Sequence, residues 1–398
     1  MTDIWEDEFD DGNFVSLKLG FEFITAGAFD ELELGPLLDE TAGQTVSPVV
    51  KAICMLLLSR PERAFDDLAY PIRTLPYQAL LGSEVRLADF RYREVYKVYD
   101  SLGSLDLEAL YRRCAQRAQP FLKSSKTAEG SADKSHKNVI FPASGVVQCW
   151  SNSSPNGGSG YRFLSFYALL DAEHKFPFDL CFAQLPENKA ASFQRSNANP
   201  ERRKSLIALL ERADLAGSVL ELGKPLNNHK EVLEAAHKAG VEVCLRQKEN
   251  PLVDKPVRWS LLEYLRKEHL CCAPQTWNTQ ERVRAVCFII AVSLILWSFL
   301  GVRVGEVCSR LQITDLFAMP ESENKGAAAE QPPLTISAFH RQFHEHIVPE
   351  LLISRQSGRI AFDFVSENLA AVVKELGPCY QRYLSAETYN GRQLSEDF

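Results

Sequence analysis

The chain has 398 residues, 45% of them hydrophobic and ten of them cysteine, and a formal net charge of −8 from 44 basic and 52 acidic side chains. That length accommodates two to three domains of about 100–200 residues, and the apolar fraction supports a buried core, which excludes a disordered chain and a small disulfide scaffold. The charge is uneven: residues 1–40 hold twelve carboxylates and one base, Lys18, a net −11 that leaves the rest of the chain at +3. The overall sign therefore does not exclude a nucleic-acid partner.

The opening Met-Thr-Asp-Ile-Trp-Glu-Asp-Glu lacks the basic start and apolar run of a secretory leader, so a cytoplasmic location is expected. The cysteines include no Cys-x-x-Cys spacing and are read as reduced, buried thiols, which leaves the sequon at Asn152 without meaning.

Val46 to Leu58 repeats apolar residues at helical spacing behind Ser47-Pro48, a suitable helix start, and shorter helices are expected over 63–75, 89–102 and 106–122. Residues 1–122 thus read as an acidic N-terminus and a helical domain, and the polar run 123–137 as a linker. The period then changes. Runs at 139–149, 161–171 and 178–185 are rich in β-branched and aromatic residues and predict three consecutive strands, with 151–160 as a loop between the first two. A helix over 200–213, a strand over 218–222, a helix over 228–239 closed by Gly240, and a strand over 241–247 follow. The order β-β-β-α-β-α-β, then helix, is that of an RNase H-like α/β core, placed at 138–303. A second linker over 304–333 and a helical C-terminal extension over 334–398 complete the expected layout.

Several segments carry a family resemblance. They are Leu19-Gly20-Phe21, the helix from Ala52 to Leu58 with Arg60-Pro61, the stretch from Asp89 to Tyr111, Val219-Leu220-Glu221-Leu222-Gly223, His229 to Leu233, Ala239-Gly240-Val241, Arg258-Trp259, His269-Leu270 and the helix from Arg282 to Leu296. Over roughly residues 17–300 the chain resembles bacterial insertion-sequence transposases of the DDE class, the group with a Tyr-Arg-Glu-Lys signature in its last core helix. The resemblance implies an RNase H-like core, duplex DNA as partner, and two Mg²⁺ ions about 3.5–4 Å apart held by three carboxylates.

The sequence departs from that pattern at each carboxylate. The Asp of the first strand falls at Pro142 or Ser144, and no acidic residue lies between Asn138 and Trp150. The Asp ending the fourth strand becomes Glu221 or Leu222. With Arg258 in register, Lys255 takes the Tyr position, Leu262 the Glu position and His269 the Lys position, while Glu263 is turned by about 100° around the helix. Strand transfer is therefore expected to be lost. If activity remained, Mg²⁺ would be the cofactor and Glu221 and Glu263, with Asp171, the candidate ligands.

Residues 86–126 interleave nine bases with Tyr92, Tyr96, Tyr99 and Tyr111, against five acids. Arg91, Arg93, Lys97, Arg112, Arg113 and Arg117 are candidate phosphate contacts, and Arg258 joins them from the resemblance; a solvated face with inward tyrosines is the competing reading. The uncharged run 285–302 meets the lower length limit of a membrane span but is read as a core helix rather than a membrane segment. His340, His344 and His346 are read as exposed, although His340 and His344 have the i, i+4 spacing of zinc ligands.

Three functions follow from this reading: a catalytically degenerate transposase relative that binds DNA, an active Mg²⁺-dependent recombinase with substituted ligands, and a scaffold retaining only the fold. A homodimer is compatible with each.

Overall fold

The computed structural model describes residues 14–18, 21–65, 68–73, 75, 77–128, 138–151, 160–172, 174–186, 190, 199–212, 215–222, 229–245, 261–262, 265, 270–313, 336, 339–340, 350–354, 360–363 and 367–381. The longer helices are α1 (Glu22–Glu31), α2 (Leu34–Ala42), α3 (Ser47–Ser59), α4 (Tyr92–Gly103), α5 (Leu107–Ala128), α6 (Pro200–Arg212), α7 (Lys230–Lys238), α8 (Gln280–Leu311) and α9 (Glu367–Leu376). The strands are β1 (Phe14–Lys18), β2 (Val139–Ser151), β3 (Gly160–Asp171), β4 (Pro177–Leu185), β5 (Val219–Leu222), β6 (Glu242–Leu245), β7 (Leu270–Cys271), β8 (Glu350–Ser354) and β9 (Ile360–Asp363). The chain divides into two compact units, one of Met1–Arg63, Asp67–Val95 and Phe299–Phe398, the other of Ala64–Asp66 and Tyr96–Ser298.

In the first unit, α3 begins where Ser47-Pro48 predicts. Asp39 fixes the start: its carboxylate accepts from the backbone N–H of Val46 (2.7 Å) and Ser47 (2.8 Å) and from the Ser47 hydroxyl (2.8 Å). The helix is buried on all sides from Val49 to Ser59, not along one stripe. That includes Lys51, whose ammonium lies 2.8 Å from Asp30. The helix predicted over 63–75 is present only as a 3₁₀ turn, Pro61–Arg63, and a short helix, Ala69–Arg73.

The C-terminal extension is not purely helical, which corrects the expectation. β8 lies between β1 and β9, antiparallel to both, with Phe14 opposite Ser354 and Glu350 opposite Asp363. The partner of β8 lies more than 300 residues earlier, so no local pattern announces it. The amphipathic α9 buries Leu369, Val372, Val373 and Leu376. Beyond it, the Tyr380 ring packs on α1 at Gly27, where a Cβ would meet the ring at 2.3 Å, and its hydroxyl donates to Glu31 at 2.7 Å. Arg303 also reaches Glu31, at 2.9 Å.

In the second unit, a mixed sheet runs in the order β4-β3-β2-β5-β6, with the short β7 beside β2. The pairs β2–β3 and β3–β4 are antiparallel, whereas β2–β5 and β5–β6 are parallel. The predicted elements from 139 to 245 are all present in the predicted order. Side chains alternate along a strand. Ile140, Leu220 and Leu222 face α6 and α7, packing with Leu206, Leu209, Leu210, Val232 and Ala236. The opposite face carries Phe141, Ala143, Val147 and Cys149, all buried, and is covered by Leu262 and by α8, whose Cys287 neighbours Cys149. The second unit is thus a mixed α/β sheet with helices on both faces.

Two boundaries differ from expectation. Helix α5 continues to Ala128, six residues into the stretch read as a linker. Helix α8 extends beyond the uncharged run at both ends, reaching Leu311, eight residues into the stretch 304–333 read as a second linker, and its apolar stretch is 83% buried within the protein.

Candidate functional site

The strand alternation decides where the three expected carboxylate positions point. Pro142 and Ser144 share a parity with Ile140 and Val146 and so face the α6–α7 side. Leu262 lies on the other face, against Gly145: a Cβ at Gly145 would stand 2.3 Å from the Leu262 Cδ1. The residues of β2 around Gly145 that share Leu262's face are therefore Phe141, Ala143, Val147 and Cys149, and none has a side-chain oxygen.

Of the two alternatives on β5, Leu222 belongs to the α6–α7 cluster, and Glu221 is on the face shared with Gly145. Ile140 pairs with Leu220, which brings Glu221 level with Phe141. That is four residues short of Gly145, about 13 Å along the strand. Glu221 and the Leu262 position are therefore not brought together. Asp171 is committed elsewhere: it closes the β3–β4 turn, accepting from the backbone N–H of His174 (2.7 Å) and Phe176 (2.8 Å). Glu263, Arg258 and His269 lie outside the described residues.

Mg²⁺ requires several oxygen ligands at close to octahedral geometry. Phe141, Ala143, Gly145 and Leu262 cannot supply them, so the described residues do not fit a two-metal centre. Among the described residues no three His, Cys, Asp or Glu side chains gather as metal ligands.

The strongest electrostatic feature of the second unit, which sequence reading missed, is a buried ion cluster on β4. Asp179, with its side chain 1% exposed, receives two parallel hydrogen bonds from Arg212 of α6, each 3.0 Å long. Arg212 also donates to the Leu180 carbonyl (2.6 Å) and to Glu108 of α5. Burial pushes the Asp179 carboxyl upward, opposed by its hydrogen bonds and attraction to Arg212 and by Arg112. The Tyr111 hydroxyl donates to the Pro177 carbonyl at 2.8 Å, so α5 is fastened to β4 at two points.

This cluster sorts the candidate phosphate contacts. Arg112 is 30% exposed and lies 3.9 Å from Asp179, which makes it part of the same ion cluster. Arg113 and Arg117, four residues apart on α5, are exposed, as are Arg91, Arg93 and Lys97 at and along α4. Tyr99 and Tyr111 are fully buried, Tyr92 is exposed, and Tyr96 carries Arg282 over its ring at 4.6 Å. The surface is thus a mixture of the two readings: inward tyrosines on helices that still present bases to solvent.

His340 is buried, contrary to expectation. Its ring meets Phe21 edge-on at 4.8 Å, and its Nε2 donates to the Leu58 carbonyl, which can only accept. His344 and His346 lie outside the described residues.

Between the ends of β3 and β4 and the first turns of α8 lies a cavity of about 610 Å³, bordered by Arg162, Arg284 and three aromatic residues. No motif marked it, because its lining comes from three separated segments. Compared with known proteins, the chain matches no family model and no curated protein.

Proposed function

We propose that this chain is a transposase-derived, DNA-binding protein whose second unit is an RNase H-like core that has lost strand-transfer chemistry. The observation that supports this reading best is the sheet order β4-β3-β2-β5-β6, combined with apolar contact where the family's chemistry needs carboxylates. Three antiparallel strands extended by two parallel ones match the element order of the resemblance. Leu262 against Gly145 closes the face on which first-strand and late-helix ligands would meet. The exposed bases of α4 and α5 are the proposed phosphate contacts, and duplex DNA is the proposed partner.

The test has two arms. Gel retardation of duplex DNA at about 50 mM salt is expected to detect binding that falls by about 500-fold toward 200 mM, as neutralising about five phosphates requires. Arg113→Glu combined with Arg117→Glu is expected to weaken it. Incubation with Mg²⁺ or Mn²⁺ is expected to leave supercoiled DNA intact. Metal-dependent nicking that Glu221→Ala abolishes would replace this reading with that of an active recombinase. Absence of retardation at low salt would remove DNA as a partner.

A further inference from the structure

The cavity beside α8 lies wholly within the second unit, and the strand register shows which side chains face it. Residues directly opposite one another on neighbouring strands share a face of the sheet. Cys149 lies opposite Arg162, Leu164 opposite Gln184, and Phe166 opposite Phe182. Cys149 is on the face that α8 covers, so Arg162, Gln184 and Phe182 stand on that face too. Tyr161 and Phe163 have the other parity and point away, Phe163 into the α6–α7 cluster. The floor of the cavity is therefore Arg162, Phe182 and Gln184, and its wall is Gln280, Val283 and Cys287 of α8. At about 610 Å³ it is within the size range of small-molecule pockets.

Arg162 is half-buried, and among the described residues no hydrogen bond or ion pair engages it. Arg284 differs: its guanidinium donates to the carbonyls of Gly103 (3.0 Å) and Leu105 (3.2 Å) and is turned away from a ligand in the cavity. The remaining lining is neutral. Burial pushes the Cys287 thiol up, which keeps it protonated, and no carboxylate is among the described lining residues. The cavity thus presents one guanidinium charge without a counter-charge, beside an aromatic ring and an aliphatic side chain.

Each group narrows the ligand. One guanidinium matches one carboxylate, whose two oxygens accept its parallel N–H donors. A phosphate dianion would bring a second negative charge that nothing in the lining balances, and a wholly apolar molecule would bury the Arg162 charge unpaired. A bare inorganic anion would leave Phe182 and Val283 uncovered. We propose that this cavity binds a small carboxylic acid with an apolar body, its carboxylate on Arg162 and its body against Phe182 and Val283. Gln184, diagonal to Arg162 across the β3–β4 pair, supplies an amide N–H to the same carboxylate. This proposal does not depend on the transposase reading.

Calorimetric titration of the full chain with phenylacetate, its neutral amide phenylacetamide, acetate and inorganic phosphate tests it. Phenylacetate is expected to bind about tenfold or more tighter than each of the other three. Arg162→Gln is expected to remove the preference for the acid over the amide, and Phe182→Ala the preference for phenylacetate over acetate, each with an unchanged circular dichroism spectrum. Lys230→Ala, on α7 across the sheet, is expected to bind as wild type. The proposal is overturned if the wild-type chain binds no phenylacetate at millimolar concentration, or if the amide or phosphate binds it equally well. It is also overturned if Arg162→Gln, still folded, keeps the preference for the acid. The comparison of ligands on the wild-type chain decides the matter even where a variant fails to fold. Duplex retardation reads a different surface, so either result can fail without the other.

Discussion

At the scale of single residues, the side chains that matter most to the second unit are those whose charge is buried. Removing one member of a buried ion pair leaves the other without compensation. Asp179→Ala strands Arg212 and Arg112 beneath β4 and is expected to cost about 3–5 kcal/mol in urea unfolding. Asp179→Asn retains one acceptor and is expected to cost less. Cys181, on the same strand, is chemically muted: burial pushes its thiol from 9.0 up to about 12. Because only the thiolate reacts, its alkylation in the native protein is expected to increase about tenfold per pH unit from pH 8 to pH 11, without a plateau. Mass mapping after iodoacetamide treatment checks this; a plateau near pH 9 would show an ordinary thiol. Neither residue stood out in the sequence, because an Asp and a Cys on a β-strand gain meaning only from what packs over them.

At the scale of elements, the hairpin β2–β3–β4 and the alternation of β5, α7 and β6 were legible, since period-two runs and a Gly240 terminus are local signals. The face on which each residue of β2 points was not. Alternation sets relative parity, but contact with Leu262 decides which parity matters. The Gly145–Leu262 contact also gives an element-level prediction. Gly145→Ala forces Leu262 to move and is expected to destabilise the unit by about 1–3 kcal/mol. Adding Leu262→Ala is expected to recover part of that loss, which a double-mutant cycle would detect as a coupling energy of at least about 0.5 kcal/mol. Strictly additive effects would mean that the two residues do not touch.

At the scale of the whole molecule, the first unit is assembled from both ends of the chain. The strand pair β1–β8, the Tyr380 ring on Gly27 and the Arg303–Glu31 pair tie residues far apart in sequence. A chain ended after Ile313 loses β8, β9, α9 and Tyr380. It is expected to show faster hydrogen exchange over α1 and a lower melting temperature, while the second unit retains its protection. Equal protection of α1 in the shortened chain would show that the extension is dispensable. The acidic head belongs to this scale too. Deleting residues 1–12 removes six carboxylates and is expected to strengthen duplex retention at low salt if the head competes with DNA for basic surface. Unchanged affinity would leave it a solubilising tail.

The sequence by itself determined the class of the second unit, the order of its elements and the absence of carboxylates from β2, because each is written in neighbouring residues. Tertiary structure alone decided the rest: that Leu262 and not an acid meets β2, that Arg112 turns toward Asp179, that His340 is buried, and that three distant segments border one cavity. The physical reason is the same each time. Backbone pattern follows from interactions over a few residues, whereas burial, ion pairing and cavities depend on partners tens to hundreds of positions away, whose approach leaves no local mark.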